Sequence, residues 1–155
     1  MDRHYMARAI ELSVKNVQSG RGGPFGALIV KDGNVVAEAA NQVTATNDPT
    51  AHAEVLAIRE ACSKLGGFEL KGCELYTSCE PCPMCLGAIY WARLDHVYFG
   101  GIAADAAQAG FDDSAIYEEI AQPHQHRVIP MTQMMREEAL AAFRAWEKTP
   151  NKVPY

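Results

Sequence analysis

The sequence predicts an α/β fold: a three-layer α/β/α sandwich with a mixed central sheet flanked by helices. Two observations carry this. Apolar runs of strand length alternate with helix-period segments in the order α, β-hairpin, α, β, α, β, then more helix, and strands that alternate with helices imply a sheet covered by helices. The chain also has an ordinary globular make-up, with 155 residues, 48% hydrophobic and 21% charged, which suits one compact domain over residues 1–155. A domain of this length buries a core without disulfides or a structural metal. A metal site in it is therefore kept for chemistry rather than for folding.

Each element has a local reason. Residues 5–18 place Met6, Ile10, Val14 and Val17 at helical spacing, and Gly20-Arg21-Gly22-Gly23-Pro24 ends that helix. Phe25 to Val30 and Val35 to Ala40 are apolar runs on either side of Asp32-Gly33-Asn34, which reads as a hairpin. Asn47-Asp48-Pro49-Thr50 is a loop with a good N-cap at its end; Ala51 to Leu65 follows as a helix closed by Gly66-Gly67. Cys73 to Thr77 reads as a strand, and Pro81 opens a helix that runs to Ala92, since proline suits a first turn. His96 to Gly100 is a further strand. Thr132 to Lys148 reads as a long amphipathic helix with Met135, Ala139, Ala142, Phe143 and Trp146 on one side.

Composition narrows the function classes. The formal net charge is −5, and no run of Lys or Arg supplies the basic footprint that attracts nucleic acid phosphates. A small-molecule substrate is expected, with no nucleic acid partner. No apolar stretch is long enough to cross a bilayer, and Met1-Asp2-Arg3-His4-Tyr5 lacks the apolar segment of a signal peptide. The chain reads as cytoplasmic and not associated with membranes. Five cysteines, an odd number, argue against a disulfide framework in a reducing compartment.

Two short motifs carry chemistry: His52-Ala53-Glu54 and Pro81-Cys82-Pro83-Met84-Cys85. Each opens a predicted helix. Cys82 and Cys85 are three residues apart and share a helix face, and the positive end of a helix lowers a thiol toward the metal-binding thiolate. With His52 they form an N, S, S donor set that leaves one position of a tetrahedral zinc open for water. Cys79 is the obvious fourth donor, but the strand-to-helix junction at Glu80-Pro81 should point it elsewhere. Two thiolates cancel the charge of zinc and make it a weaker Lewis acid, so its water benefits from a base. Glu54 can reach that water without binding the metal, take its proton, and pass protons to a ring nitrogen and a departing amine. Cys62 and Cys73 read as small buried hydrophobes. His4, His96, His124 and His126 have no partner at ligand spacing.

The paired motifs match the general zinc-deaminase signature. The segment Asn41…Asn47-Asp48-Pro49-Thr50-Ala51-His52-Ala53-Glu54 resembles the first block of the cytidine deaminase superfamily, in its nucleobase and tRNA-adenosine branches. The block from Tyr76-Thr77-Ser78-Cys79-Glu80 to Trp91-Ala92-Arg93 is similar to bacterial guanine deaminases, as is Ala109-Gly110-Phe111-Asp112-Asp113-Ser114. The resemblance covers nearly the whole chain, through to Tyr155. It implies a cytidine deaminase-like fold, one Zn2+ per subunit, and guanine deaminated to xanthine and ammonia. It also implies roles: Asn41 and the backbone near Ala53 hydrogen-bond the purine, Phe25 and Trp91 line the pocket, and Asp113 is a second carboxylate that accepts purine N–H groups and assists proton transfer.

Three other readings compete. A tRNA-adenosine deaminase has nearly the same first motif, but it usually has a basic C-terminal helix, whereas Arg136-Glu137-Glu138, Arg144 and Glu147-Lys148 are balanced here. Another nucleobase deaminase, of cytosine or pterin type, would have a similar pocket. A zinc-stabilised interaction domain without activity would have no need of Glu54. Finally, Thr149-Pro150-Asn151-Lys152-Val153-Pro154-Tyr155 is stiffer than a frayed tail. The resemblance implies a homodimer in which residues 150–155 swap between subunits and Tyr155 closes the partner's pocket over the purine.

Overall fold

The computed structural model describes residues 2–155. They fall into two compact units, one running to Asp113 and the other Ser114–Tyr155. The first holds a four-stranded sheet in the order β2-β1-β3-β4, with β1 Gly26–Lys31, β2 Asn34–Ala40, β3 Cys73–Cys79 and β4 His96–Gly101. β1 runs antiparallel to both β2 and β3, and β3 runs parallel to β4, so the sheet is mixed as expected. The hairpin turn is Asp32-Gly33 alone, and both residues have positive φ, 49° and 74°. That is the primed turn whose twist matches its flanking strands.

Side chains alternate across the pleat, and each face has its own core. Leu28, Val30 and Tyr76 meet Tyr5, Met6 and Ala9 of α1 (Arg3–Gln18) on one face. Ala27, Ile29, Cys73 and Leu75 meet α3 (Ala53–Leu65) and α4 (Pro83–Ala92) on the other. These are the three layers.

The helix α1 is capped by Asp2, whose carboxylate accepts from the His4 N–H at 2.8 Å. Its buried face differs from the stripe that announced it. Ile10, Val14 and Val17 are about half exposed, and Ala9, Ser13 and Asn16 face inward instead. Small residues win because α1 lies directly on β1. A Cβ added at Gly26 would sit 2.5 Å from the Ala9 carbonyl oxygen and 2.7 Å from the Ser13 nitrogen.

Three helices start later than predicted. α3 begins at Ala53 with His52 as its N-cap; Thr50 turns its N–H and hydroxyl to the Asp48 carboxylate, at 2.8 and 2.7 Å. α4 begins at Pro83 with Cys82 as its N-cap, which puts Pro83 rather than Pro81 in the first turn. Gly66 closes α3 with φ 70°, as predicted. Short helices α2 (Val43–Thr46) and α5 (Ala103–Gln108) flank the open end of the sheet.

The second unit contains α6 (Ser114–Ala121), a 3-10 turn at His124–His126 and α7 (Arg136–Lys148). α7 is shorter than the predicted Thr132–Lys148 because Met135 adopts a left-handed conformation, φ 49°, at its N-cap. No residue of 114–155 is buried.

The α1–β1 contact gives a stability prediction. Gly26→Ala would meet two backbone atoms and the Leu12 Cβ, none of them the free end of a flexible side chain, and overpacking of this kind costs about 1–3 kcal/mol. The urea unfolding midpoint should fall accordingly; an unchanged midpoint would show that α1 can slide on the sheet.

Candidate active site

The site is built where two helices begin. In an ordinary helix the N-cap side chain bonds back to a free N–H of the first turn. Here both N-caps, His52 and Cys82, make no such bond. Their extended backbones turn the side chains toward each other. His52 Nδ1 lies 3.5 Å from Cys82 Sγ and 3.5 Å from Cys85 Sγ, and the three donor atoms lie within 4.8 Å of one another. Among the described residues no other His, Cys, Asp or Glu cluster gathers in this way.

The donor set fits zinc. A tetrahedral zinc at usual bond lengths holds an imidazole nitrogen and a thiolate sulfur about 3.6 Å apart. Cys79 stands outside the group. It closes β3, and its thiol bonds to the backbone of Glu80 and to the Ile102 carbonyl, the latter at 3.9 Å. All five cysteines are free.

The electrostatics favour a charged Cys82. Its thiol is brought down to about 4 by the S–H of Cys85, with His52 adding to the effect. Cys85 is pushed up because it is the donor in that pair and because it is buried. The same thiolate raises His52 above the usual imidazole value. Burial pushes Cys62 and Cys73 up as well, as suits inert thiols.

Glu54 is the second residue of α3 and only 4% exposed. Its Oε2 accepts from Cys85 Sγ at 3.5 Å, and its Oε1 accepts from the Thr77 hydroxyl at 3.2 Å. Burial is the main cause that raises its carboxyl above the usual range, and the Cys82 thiolate adds to it. A carboxyl raised in this way holds a proton more readily than a solvated one.

A cavity of about 560 Å³ opens beside His52, Glu54 and Cys82, large enough for a nucleobase-sized ligand. Asn41 lines it and is nearly buried. Its amide oxygen accepts from the N–H of Val43 at 3.2 Å and of Gly23 at 3.4 Å, which leaves its NH2 to donate into the cavity. Phe25 lines the wall and meets Phe111 edge-on, with ring centroids 5.0 Å apart. Asp112 and Asp113 line the same cavity. Burial, then the Cys82 thiolate, raises the Asp113 carboxyl. Ala53 is fully buried in the core between His52 and Glu54.

One expected cavity residue lies elsewhere. Trp91 is 64% exposed and does not line the cavity; Phe111 supplies the second aromatic wall in its place. The reason is helical phase. Cys85, Ile89 and Ala92 form the buried stripe of α4, and Trp91 lies about 200° round from Ile89.

Asn16 had no role in the sequence reading. Its NH2 donates to the carbonyls of Gly23 and Asn41, both at 2.8 Å, so α1 pins the glycine loop against the residue that would hold substrate. A side chain at Gly22 would collide with the Asn41 carbonyl oxygen. The sequence signal was a polar residue in phase with Ala9 and Ser13 on the small-residue face of α1.

A mixed sheet with a three-donor metal site and a buried carboxylate at one end defines a zinc-dependent hydrolytic deaminase. The family model described as the cytidine and deoxycytidylate deaminase zinc-binding region matches residues 1–101, and the chain belongs to that family. It is 56% identical over 151 residues to a guanine deaminase of Bacillus subtilis (strain 168), covering 97% of each chain. The X-ray structure of guanine deaminase from Bacillus subtilis superposes with a TM-score of 0.97 at 55% identity, over 100% of this chain and 99% of that one. A tRNA-specific adenosine deaminase of Bacillus subtilis (strain 168) is 38% identical over 118 residues, 76% of this chain and 73% of that protein.

The donor set yields a direct test by metal analysis. Cys82→Ala and Cys85→Ala should lose zinc on dialysis, whereas Cys79→Ala should retain it. Zinc loss from the Cys79 variant would mean that the site closes with four protein ligands.

Proposed function

We propose that this protein hydrolyses guanine to xanthine and ammonia in the cytoplasm, with one Zn2+ bound per subunit by His52, Cys82 and Cys85. The observation that carries the substrate is the end-to-end likeness to a guanine deaminase, joined to a cavity that offers guanine the partners it needs. Guanine presents several N–H donors and ring acceptors. Asp113 is acceptor-only when ionised, and the oriented NH2 of Asn41 is a donor. Phe25 packs on the base, and the backbone near Ala53 is within reach of it.

When bound, zinc supplies a Lewis acid that lowers the pKa of a water in the fourth position. The chain's own residues do the rest. Glu54 would take one proton from the attacking water and deliver it to the ring nitrogen beside the carbon under attack; it would then take the second proton from the hydroxyl formed on that carbon and pass it to the amine, which leaves as ammonia while the carbonyl forms. Asp113 holds the purine N–H groups and assists that transfer. Atoms balance as guanine plus water giving xanthine plus ammonia.

We also propose a homodimer in which residues 150–155 exchange and Tyr155 covers the partner subunit's site. The exposed apolar side chains of the second unit support this, among them Ile120, Val128, Ile129, Met134 and Phe143. Ile120, Val128 and Ile129 line one surface cavity, and apolar surface of this kind marks an interaction face. A closed site would exclude water and strengthen the polar contacts within it.

Ammonia release across a panel of guanine, cytosine, cytidine and an adenosine-containing tRNA stem tests the substrate. Guanine should be turned over, and the others marginally or not at all; a preference for the tRNA stem would overturn the assignment. In the same assay Glu54→Ala should keep zinc and lose activity by about 10²- to 10⁴-fold. A variant within tenfold of wild type would remove Glu54 from the mechanism. Deleting residues 150–155 should depress guanine turnover while zinc content holds, with mass measurement reporting the dimer. Unimpaired turnover in a folded truncation would show that the tail is no lid.

A further inference from the structure

We propose that Thr77 is a positioning residue for the proton carrier: its hydroxyl anchors Oε1 of Glu54, so that Oε2 stays turned to the metal donors. The proposal rests on the reading of Glu54 as the group that moves protons.

The pleat of β3 sets the geometry. Leu75 faces the α3 side of the sheet, and alternation puts Thr77 on the same side two residues further along. There the strand passes the first turn of α3. Thr77 pairs with Ala27 on β1 and with Phe99 on β4, so its backbone is held on both sides. Its side chain is fully buried. A threonine hydroxyl in such a place must find an acceptor, and the acceptor is the Glu54 carboxylate at 3.2 Å.

The other oxygen of Glu54 is held less firmly. Cys85 Sγ reaches it at 3.5 Å, and a cysteine that ligates a metal does so as the thiolate, with no proton to donate. Thr77 is thus the side-chain donor that remains when the site is loaded. A carboxylate tethered by one oxygen can still exchange protons through the other. One that is untethered can rotate about χ3, and a proton carrier loses rate steeply with misplacement.

A threonine in a central strand has a plain packing explanation as well, since β-branched residues suit strands. Two substitutions separate the roles, because packing and positioning rank them in opposite orders. Thr77→Val keeps the shape and removes the hydroxyl; Thr77→Ser keeps the hydroxyl and removes a methyl. Wild type and both variants are compared on zinc content, thermal midpoint with and without zinc, kcat and KM, and the crystallographic position of the Glu54 carboxylate. The substrate is whichever member of the panel wild type deaminates fastest, so a failure of the guanine assignment is visible in wild type and does not touch this comparison.

The expected result is a zinc-loaded Thr77→Val with kcat down at least about tenfold, KM within about threefold, and Glu54 displaced. Thr77→Ser should keep Glu54 in place and stay within about threefold of wild-type kcat, even though its thermal midpoint is the lower of the two. A fully active Thr77→Val overturns the proposal. So does a Thr77→Ser that loses kcat as far as Thr77→Val does, with activity following the midpoint.

Discussion

Everything at this site depends on packing negative charge into a place with little water. Two sulfurs and a carboxylate stand 3.5 Å apart along the chain Cys82, His52, Cys85, Glu54. Left alone, such a group of anions would repel and take up protons. The fold offsets this with the N-termini of α3 and α4, whose partial positive charge falls on His52, Glu54 and Cys82. A divalent metal completes the balance. Both helices give up their N-cap bonds to achieve it, since the capping positions are occupied by ligands. Each lost cap costs about 1 kcal/mol, and a domain with two separate cores can bear that.

The scaffold serves this arrangement by bringing backbones close. Ala9, Ser13 and Gly26 let α1 lie against β1 at atomic contact, and an alanine-rich α3, with Ala53, Ala57 and Ala61 fully buried, packs as tightly on the opposite face. Close approach makes the helix starts rigid relative to the strand ends. The same layer reaches the substrate side, because Asn16 of α1 holds Gly23 and Asn41 by their carbonyls. Glu54 and Asn41 are therefore braced from opposite faces of one sheet.

Electrostatics divides labour among the cavity's carboxylates. Glu54 is enclosed and raised by burial, which suits a group that alternates between acid and base. Asp113 is less buried than Glu54 and is raised in the same direction by partial burial and the Cys82 thiolate. Among the described residues neither carboxylate forms an ion pair with Lys or Arg.

Local rules of sequence determined a good deal of this. The turn at Asp32-Gly33, the cap at Gly66, the strand runs and the spacing of His52, Glu54, Cys82 and Cys85 are all set by neighbours a few residues apart, where torsional preference and helical period act directly. Tertiary structure decided which face each helix buries and what each side chain meets. α1 turned Ile10, Val14 and Val17 outward because contact with Gly26 admits only small residues. α4 turned Trp91 out of phase with its buried stripe, and Phe111 took its place in the cavity wall. The bond from Thr77 to Glu54 and the clamp of Asn16 on Asn41 join residues far apart in the chain. Such contacts depend on the register of one packed layer against another, which no local pattern encodes.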